Sequence, residues 1–436
     1  MRNLITASSV LALSVGMGVA QDFELDLDFE DEIVFEDIGE SAAPETAVAE
    51  GEAVVDPDAM DDIFADVVEE APSRGFPDIE FTASYARSDS AGTVTDTQSL
   101  RAAVKESFDL GDVGFLEVAA SVSVTDPAGA ADWDFNLDQV KLQNSSGQLS
   151  WAVGKFPIGW GEIEGTPVLD VLNSGLSLAT LGTAAEDLPG QWVATADYFG
   201  PGYTVSGFAG LDPVVSYPVP DPTPSDAMEF GARLSVPIEQ GQVSGYAARL
   251  LPQAAVMAFD GSASSAEPYT LIGASAHKAV GSVLLEADFA AKLGLERATA
   301  TGFAEDDRID AALGAEIALS NSTQLTGNVA VQRWMDGSAG YFDFGAAGPV
   351  AANQTSATYQ LALTTSAANE KLSLSAFTGG SFDGDTSFLA AQGEYSLTDD
   401  LSVSASASRL SAATGSLLAP LDGTTTISVG LTYYFR

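Results

Sequence analysis

The sequence predicts an all-β chain, a transmembrane antiparallel β-barrel of about eighteen strands (sixteen to eighteen) preceded by an acidic, largely disordered N-terminal arm. Three observations carry that reading. Stretches of roughly ten to thirteen residues alternate apolar and polar side chains, the period of a strand with two unlike faces. The links between them alternate between long and short. A net charge of -45 also sits beside a hydrophobic content of 46%. A barrel accommodates both by turning apolar side chains to lipid and polar ones to the lumen or the loops.

The alternation is plainest in three segments. In 281–293, Val283, Leu285, Ala287, Phe289 and Ala291 share one face, and Glu286, Asp288 and Lys292 the other. In 306–319, Ile309, Ala311, Leu313, Ala315 and Ile317 oppose Arg308, Asp310 and Glu316. In 226–237, Met228, Phe230, Ala232 and Leu234 oppose Glu229 and Arg233. A soluble sandwich also alternates, with charge outside and large apolar groups inside, so single strands do not separate the two folds. The connections do. Short links such as Leu110 to Asp112, Ser146, Pro201, Ile238 to Gln240, Ala279 to Val280 and Ala367 to Ala368 alternate strictly with long ones at 157–190, 212–225, 252–267, 334–353 and 412–423. Short periplasmic turns and long external loops are the pattern of outer-membrane barrels. Both ends of the barrel then fall on the periplasmic side.

The N-terminal residues read as an export signal. Arg2 is followed by the short, mostly apolar stretch Leu4 to Val15 and by the small-residue site Gly18-Val19-Ala20, so residues 1–20 form a secretory signal peptide. From Gln21 to Arg74 there are twenty acidic residues against the one basic Arg74. Such a charge block stays solvated, and residues 21–75 are expected to be a periplasmic arm before the barrel at 76–436. Two pieces of the arm have a period of their own. Phe23, Leu25, Leu27 and Phe29 alternate as a strand would, and Met60, Ile63, Phe64, Val67 and Val68 follow helical spacing.

Several function classes are excluded by composition. There is no Cys and a single His, so disulfides, thiol nucleophiles, thiolate metal sites and paired-imidazole sites are absent. The acidity disfavours nucleic acid as a partner. No phosphate-binding Gly loop is present, and the Asp-rich arm lacks full EF-hand spacing. The chain is therefore expected to use no cofactor, to hold no metal and not to be an enzyme. His277, beside a short turn, reads as structural rather than catalytic.

The most distinctive segment is Gly154-Lys155-Phe156-Pro157-Ile158-Gly159-Trp160-Gly161-Glu162, followed by Asp170-Val171-Leu172-Asn173. It resembles a family of proteobacterial outer-membrane barrels, porin-like and alginate-export-like channels among them, that carry a Gly-Lys-x4-Trp-Gly-Glu … Asp-Val-x-Asn segment. Those barrels commonly have Pro where this chain has Ser174. The resemblance implies a channel fold and no particular substrate. The last strand places Ile427, Val429, Leu431, Tyr433 and Phe435 on one face. It resembles the C-terminal signal read by the barrel-assembly machinery, with Phe435 penultimate before Arg436.

Residues 157–190 form the third external loop and the longest. A third loop that folds inward would place Glu162, Glu164, Asp170, Glu186 and Asp187 at a constriction, where acidic side chains favour cations. An ordinary solvated surface loop is the alternative, with Trp160 as an interfacial anchor. By parity the lumen-facing charges are Arg101, Lys105, Glu117, Glu229, Arg233, Arg249, Glu286, Asp288, Lys292, Arg308, Asp310 and Glu316. They would either set up a transverse field across a water-filled pore or brace the wall as ion pairs. The expected function is passive diffusion of small hydrophilic solutes through a barrel embedded in outer-membrane lipids. The alternative is a component of an export or lipid-transport assembly whose arm docks a periplasmic partner. Limited proteolysis of the folded, detergent-solubilised protein should remove residues 21–75 first and leave the barrel intact. Strong protection of that segment would instead mark it as a plug.

Overall fold

The computed structural model describes residues 77–435, apart from 91, 128–130, 164–165, 167, 173–189, 213–227, 253–255, 257–265, 300–301, 337–341, 346–347, 352, 415 and 417. The expected signal peptide and acidic arm lie outside the described residues. The strands are β1 (Asp78–Ser90), β2 (Thr93–Asp109), β3 (Phe115–Pro127), β4 (Asp132–Ser146), β5 (Leu149–Phe156), β6 (Gln191–Gly200), β7 (Tyr203–Asp212), β8 (Phe230–Ile238), β9 (Gly241–Leu250) and β10 (Tyr269–Val280). They continue as β11 (Val283–Thr299), β12 (Gly302–Ser320), β13 (Thr323–Trp334), β14 (Phe342–Gly345), β15 (Gly348–Ala351), β16 (Thr355–Ala367), β17 (Leu372–Ser381), β18 (Thr386–Thr398), β19 (Leu401–Ala412) and β20 (Thr425–Phe435).

All but β14 and β15 belong to one 18-stranded antiparallel sheet. β1 pairs with β2 on one side and with β20 on the other, Thr82 standing opposite both Arg101 and Thr432. The sheet is therefore closed and has no edge strand. Closure follows from the outer surface. Phe81, Leu100, Phe135, Leu234, Ile272, Phe289, Leu313, Val329, Leu361, Leu389, Val403 and Leu431 are all exposed and share one face by register around the whole ring. A continuous apolar surface of this kind faces hydrocarbon, where an unpaired peptide group costs several kcal/mol and only a closed sheet leaves none. The protein is a multi-pass β-barrel of the outer-membrane type.

The expected strict alternation of long and short links holds on only one rim. The links that join even-numbered strands onward from β2 through β12 are short turns. On the other rim five links are long, at 157–190, 213–229, 251–268, 335–354 and 413–424, whereas those at 91–92, 128–131, 300–301 and 382–385 are short. The reason is visible at β11 and β12, 17 and 19 residues long. Hydrogen bonding continues past the shared belt, so the strands absorb residues that would otherwise form a loop. The long link after β13 carries the separate hairpin β14–β15, inside the expected loop at 334–353.

Leu313, 64% exposed on the outer face and well inside β12, tests this orientation. Leu313→Arg should destabilise the barrel in lipid vesicles by about 2–4 kcal/mol, the cost of a cation near the bilayer midplane. Thr326→Arg, on the inner face of β13 opposite Glu316, should cost far less. Denaturant titration of folding into vesicles reads both.

Candidate functional site

The inner wall of β7 to β12 supports the beginning of the 157–190 link. Trp160, Ile163, Thr166, Val168, Leu169, Asp170, Val171 and Leu172 are all buried. The apolar ones form one cluster with Phe208 (β7), Tyr246 and Ala248 (β9), Leu271 (β10), Ala290 (β11) and Ala312 (β12). These wall residues alternate with lipid-facing neighbours such as Leu211, Val243, Ile272, Phe289 and Leu313. The first part of the link therefore lies on the lumenal side of the sheet.

Three contacts fix it there. Trp160 packs edge-on against Phe208 and Tyr246, with ring centroids 4.9 and 5.3 Å apart. Its indole occupies the space beside Gly231. A Cβ at that position would come within 2.6 Å of the indole and of Phe208. Next, the Asp288 carboxylate accepts from the backbone N–H of Glu162 (3.1 Å to Oδ1) and of Ile163 (3.3 Å to Oδ2). The chain reaches that carboxylate at Gly161, whose φ of +91° suits glycine and where a Cβ would stand 2.7 Å from Asp288 Oδ2. Third, the Glu162 side chain meets β10. Its Oε2 lies 2.7 Å from His277 Nδ1, and its Oε1 accepts from Ser275 Oγ at 3.2 Å. Ser275 Oγ in turn lies 2.9 Å from the Tyr246 hydroxyl.

Carboxylates collect at this level. Glu286 stands opposite His277 on one side and Gly314 on the other, and Glu316 is on β12 diagonally across from it. The neighbouring cations are occupied. Lys292 Nζ lies 2.7 Å from Asp310 Oδ2, and Arg308 spans both oxygens of Asp310 at 2.8 Å, with its guanidinium 5.2 Å from the Trp334 ring. Across the barrel Arg101 reaches Glu80 (3.6 Å) and Asp138 (3.5 Å), while Glu117 accepts from Gln139 at 2.9 Å.

The sequence-expected residues thus fall as follows. Arg101, Lys105, Glu117, Glu229, Arg233, Glu286, Asp288, Lys292, Arg308, Asp310 and Glu316 sit on the face opposite the apolar belt. Arg249 does not. It pairs with the exposed Phe230 on the outer face, and its Nη1 donates to Thr270 Oγ1 at 3.2 Å. The inner face of β9 carries Tyr246, Ala248 and Leu250 instead, because the link packs on it. Trp160 is inside that packing and not at the lipid interface. Glu162 and Asp170 belong to the inward-folded part, whereas Glu164, Glu186 and Asp187 lie outside the described residues. Unforeseen in the sequence were the tethering role of Asp288 and the contributions of Gly231, Tyr246, Ser275 and His277.

No family model matches the chain, and no curated protein matches it. Among solved structures it is similar to Acinetobacter baumannii OccAB3 at 9% identity and a TM-score of 0.47, covering 82% of this chain and 98% of that one. It is similar to Pseudomonas aeruginosa OccK5 at 11% identity and 0.47, covering 82% and 97%. A mutant of Rh. blastica porin gives 12% identity and 0.37, covering 83% and 100%.

Asp288→Ala would leave two inward-facing N–H groups without their acceptor, at a cost of about 1–3 kcal/mol. Amide exchange at Glu162 and Ile163 should accelerate by roughly tenfold or more in the folded variant. Unchanged protection there would mean that the aromatic contacts of Trp160 alone hold the link.

Proposed function

We propose that the protein is a passive outer-membrane channel for small hydrophilic solutes, narrowed by the link at 157–190 and favouring cations at that level. One observation carries this reading: the start of that link is folded onto the lumenal wall and held by Asp288 and Glu162. An eighteen-stranded barrel is wide enough for an aqueous path, and a segment laid on its inner wall reduces the bore. The Gly-Lys-x4-Trp-Gly-Glu segment supports the same reading, since its Trp160 and Glu162 make two of the three anchoring contacts.

The sign of selectivity comes from which charges are compensated. Lys292 and Arg308 are drawn onto Asp310, which cancels one of their two charges, while Glu162, Glu286, Asp288 and Glu316 gather near the single His277. Such a cluster lowers the local potential and raises the concentration of cations.

Purified full-length protein in planar bilayers should give single-channel currents. A salt gradient should give a reversal potential on the cation-selective side. Neutralising Glu162, Glu286 and Glu316 together (E162Q, E286Q, E316Q) should move it toward zero. The difference should shrink at 1 M salt, where screening shortens the reach of each charge to about 3 Å. Unchanged selectivity in a folded triple variant would move the filter away from this cluster.

A further inference from the structure

The inner wall changes chemistry around the ring, with charges on β1 to β4 as well as on β10 to β12. On β10 to β12 it presents His277, Glu286, Asp288, Lys292, Arg308, Asp310 and Glu316. The next six strands round the barrel are β13 and β16 to β20. Among their described residues, a single inward position is charged, Glu394 near the internal end of β18. The rest of the wall is built from hydroxyl and amide side chains interspersed with Gly, Ala and a few aromatics. Four successive inward positions of β19 are Ser402, Ser404, Ser406 and Ser408, facing Thr432, Gly430, Ser428 and Thr426 of β20. β1 adds Thr82 and Ser84 beside the inward Glu80, whose carboxylate accepts from Thr82 Oγ1 at 3.0 Å.

The directional contacts of the inward-folded link fall on β7 to β12, and its apolar cluster extends to β5, β6 and Ala330 of β13. Among the described residues, that segment packs in a cluster that includes no residue of β16 to β20.

Hydroxyls on the neutral wall meet in pairs. Ser84 and Ser99 are 2.6 Å apart, Ser406 and Ser428 2.7 Å, and Thr82 and Thr432 3.2 Å. Asn328 donates to Gln360 at 3.3 Å. A hydroxyl has one donor and two acceptor sites, so the Ser406–Ser428 pair keeps a donor and several lone pairs to offer, whereas Thr82 donates to Glu80 at 3.0 Å. Carboxylates only accept and Arg or Lys only donate. A solute dense in hydroxyls needs both roles at every position to replace its hydration, and it gains nothing from charge.

We propose that neutral polyhydroxylated solutes, of the sugar and sugar-alcohol class, cross along the wall of β13 and β16–β20 by exchanging water for these hydroxyl and amide contacts. This rests on the channel reading above and names its solute class. Each contact is weak and replaceable, as rapid flux requires.

The test is swelling of proteoliposomes carrying the full-length protein, in isosmotic sorbitol and in isosmotic glycine betaine, a smaller zwitterion without hydroxyls. Sorbitol should enter at least as fast as betaine despite its size. In the variant S404A/S406A/S408A/S428A sorbitol entry should fall by about threefold or more, the loss of a fraction of a kcal/mol per contact, while potassium chloride conductance stays unchanged. Alanine is smaller than serine, so steric blocking would not account for a fall. Should that variant fail to fold, judged by heat-shifted electrophoretic mobility, N328A/Q360A on β13 and β16 makes the same demand. Sorbitol entry that is unchanged or faster in a folded variant overturns the proposal, as does betaine outpacing sorbitol through the unaltered protein. Absence of ion conductance in the unaltered protein would overturn the channel reading itself, a result distinct from ion conductance without a sorbitol preference.

Discussion

Every peptide N–H and C=O that enters hydrocarbon needs a partner, and in this chain the pairing of β1 with β20 supplies the last row of them. Without it two strands would expose unpaired groups to lipid, at several kcal/mol for each. With it the outer surface can be uniformly apolar, from Phe81 round to Leu431. The inner surface is then free to carry whatever polar chemistry the lumen uses. Strand count, the two rims and the separation of faces all follow from that closure.

The closed wall still has to hold an inserted segment without a second sheet to pack against. The solution is local and mixed. Apolar residues of β7 to β12 replace the polar ones expected on a lumenal face, giving Trp160, Leu169 and Val171 a surface to bury. Hydrophobic packing is non-directional, so register comes from hydrogen bonds. Asp288 receives two successive backbone N–H groups, and Glu162 is placed against His277 and Ser275. The two acids do opposite jobs, one fixing main chain with a wall side chain and the other fixing a link side chain to the wall.

Much of the barrel was legible because alternation and link length are properties of single strands and their neighbours. The eighteen strands are legible from period two together with link length, and the inward parity of Glu286, Asp288, Lys292 and Asp310 from period two alone. Arg249 shows where that logic ends. Charge was assigned inward by rule, yet beneath the inserted link the rule inverts. Tyr246, Ala248 and Leu250 take the inner face, and Arg249 is left outside to bond Thr270. The inversion depends on a contact between residues nearly a hundred positions apart, which no local period encodes. The same distance hid His277 as a partner of Glu162 and Gly231 as the seat of Trp160. The short links at 91–92 and 300–301 escaped for another reason. Composition does not say how far a ladder of hydrogen bonds runs beyond the bilayer.

The two roles open to the lumenal charges, bracing or field, are divided by position rather than shared. On β11 and β12 the bracing role is direct. Asp310 is fully buried and takes both Lys292 and Arg308, and Arg297 is paired with Asp306 at 3.0 Å. Ions this deeply enclosed are tolerable only when paired, since removing one partner leaves an uncompensated charge. These cations are therefore committed to the wall, where Lys292, Arg308 and Asp310 together retain one positive charge. Bracing by Lys292 and Arg308 thus has an electrostatic consequence along β11 and β12. Asp310 cancels one of their two positive charges, and the remainder is outnumbered by Glu162, Glu286, Asp288 and Glu316 beside the inserted link.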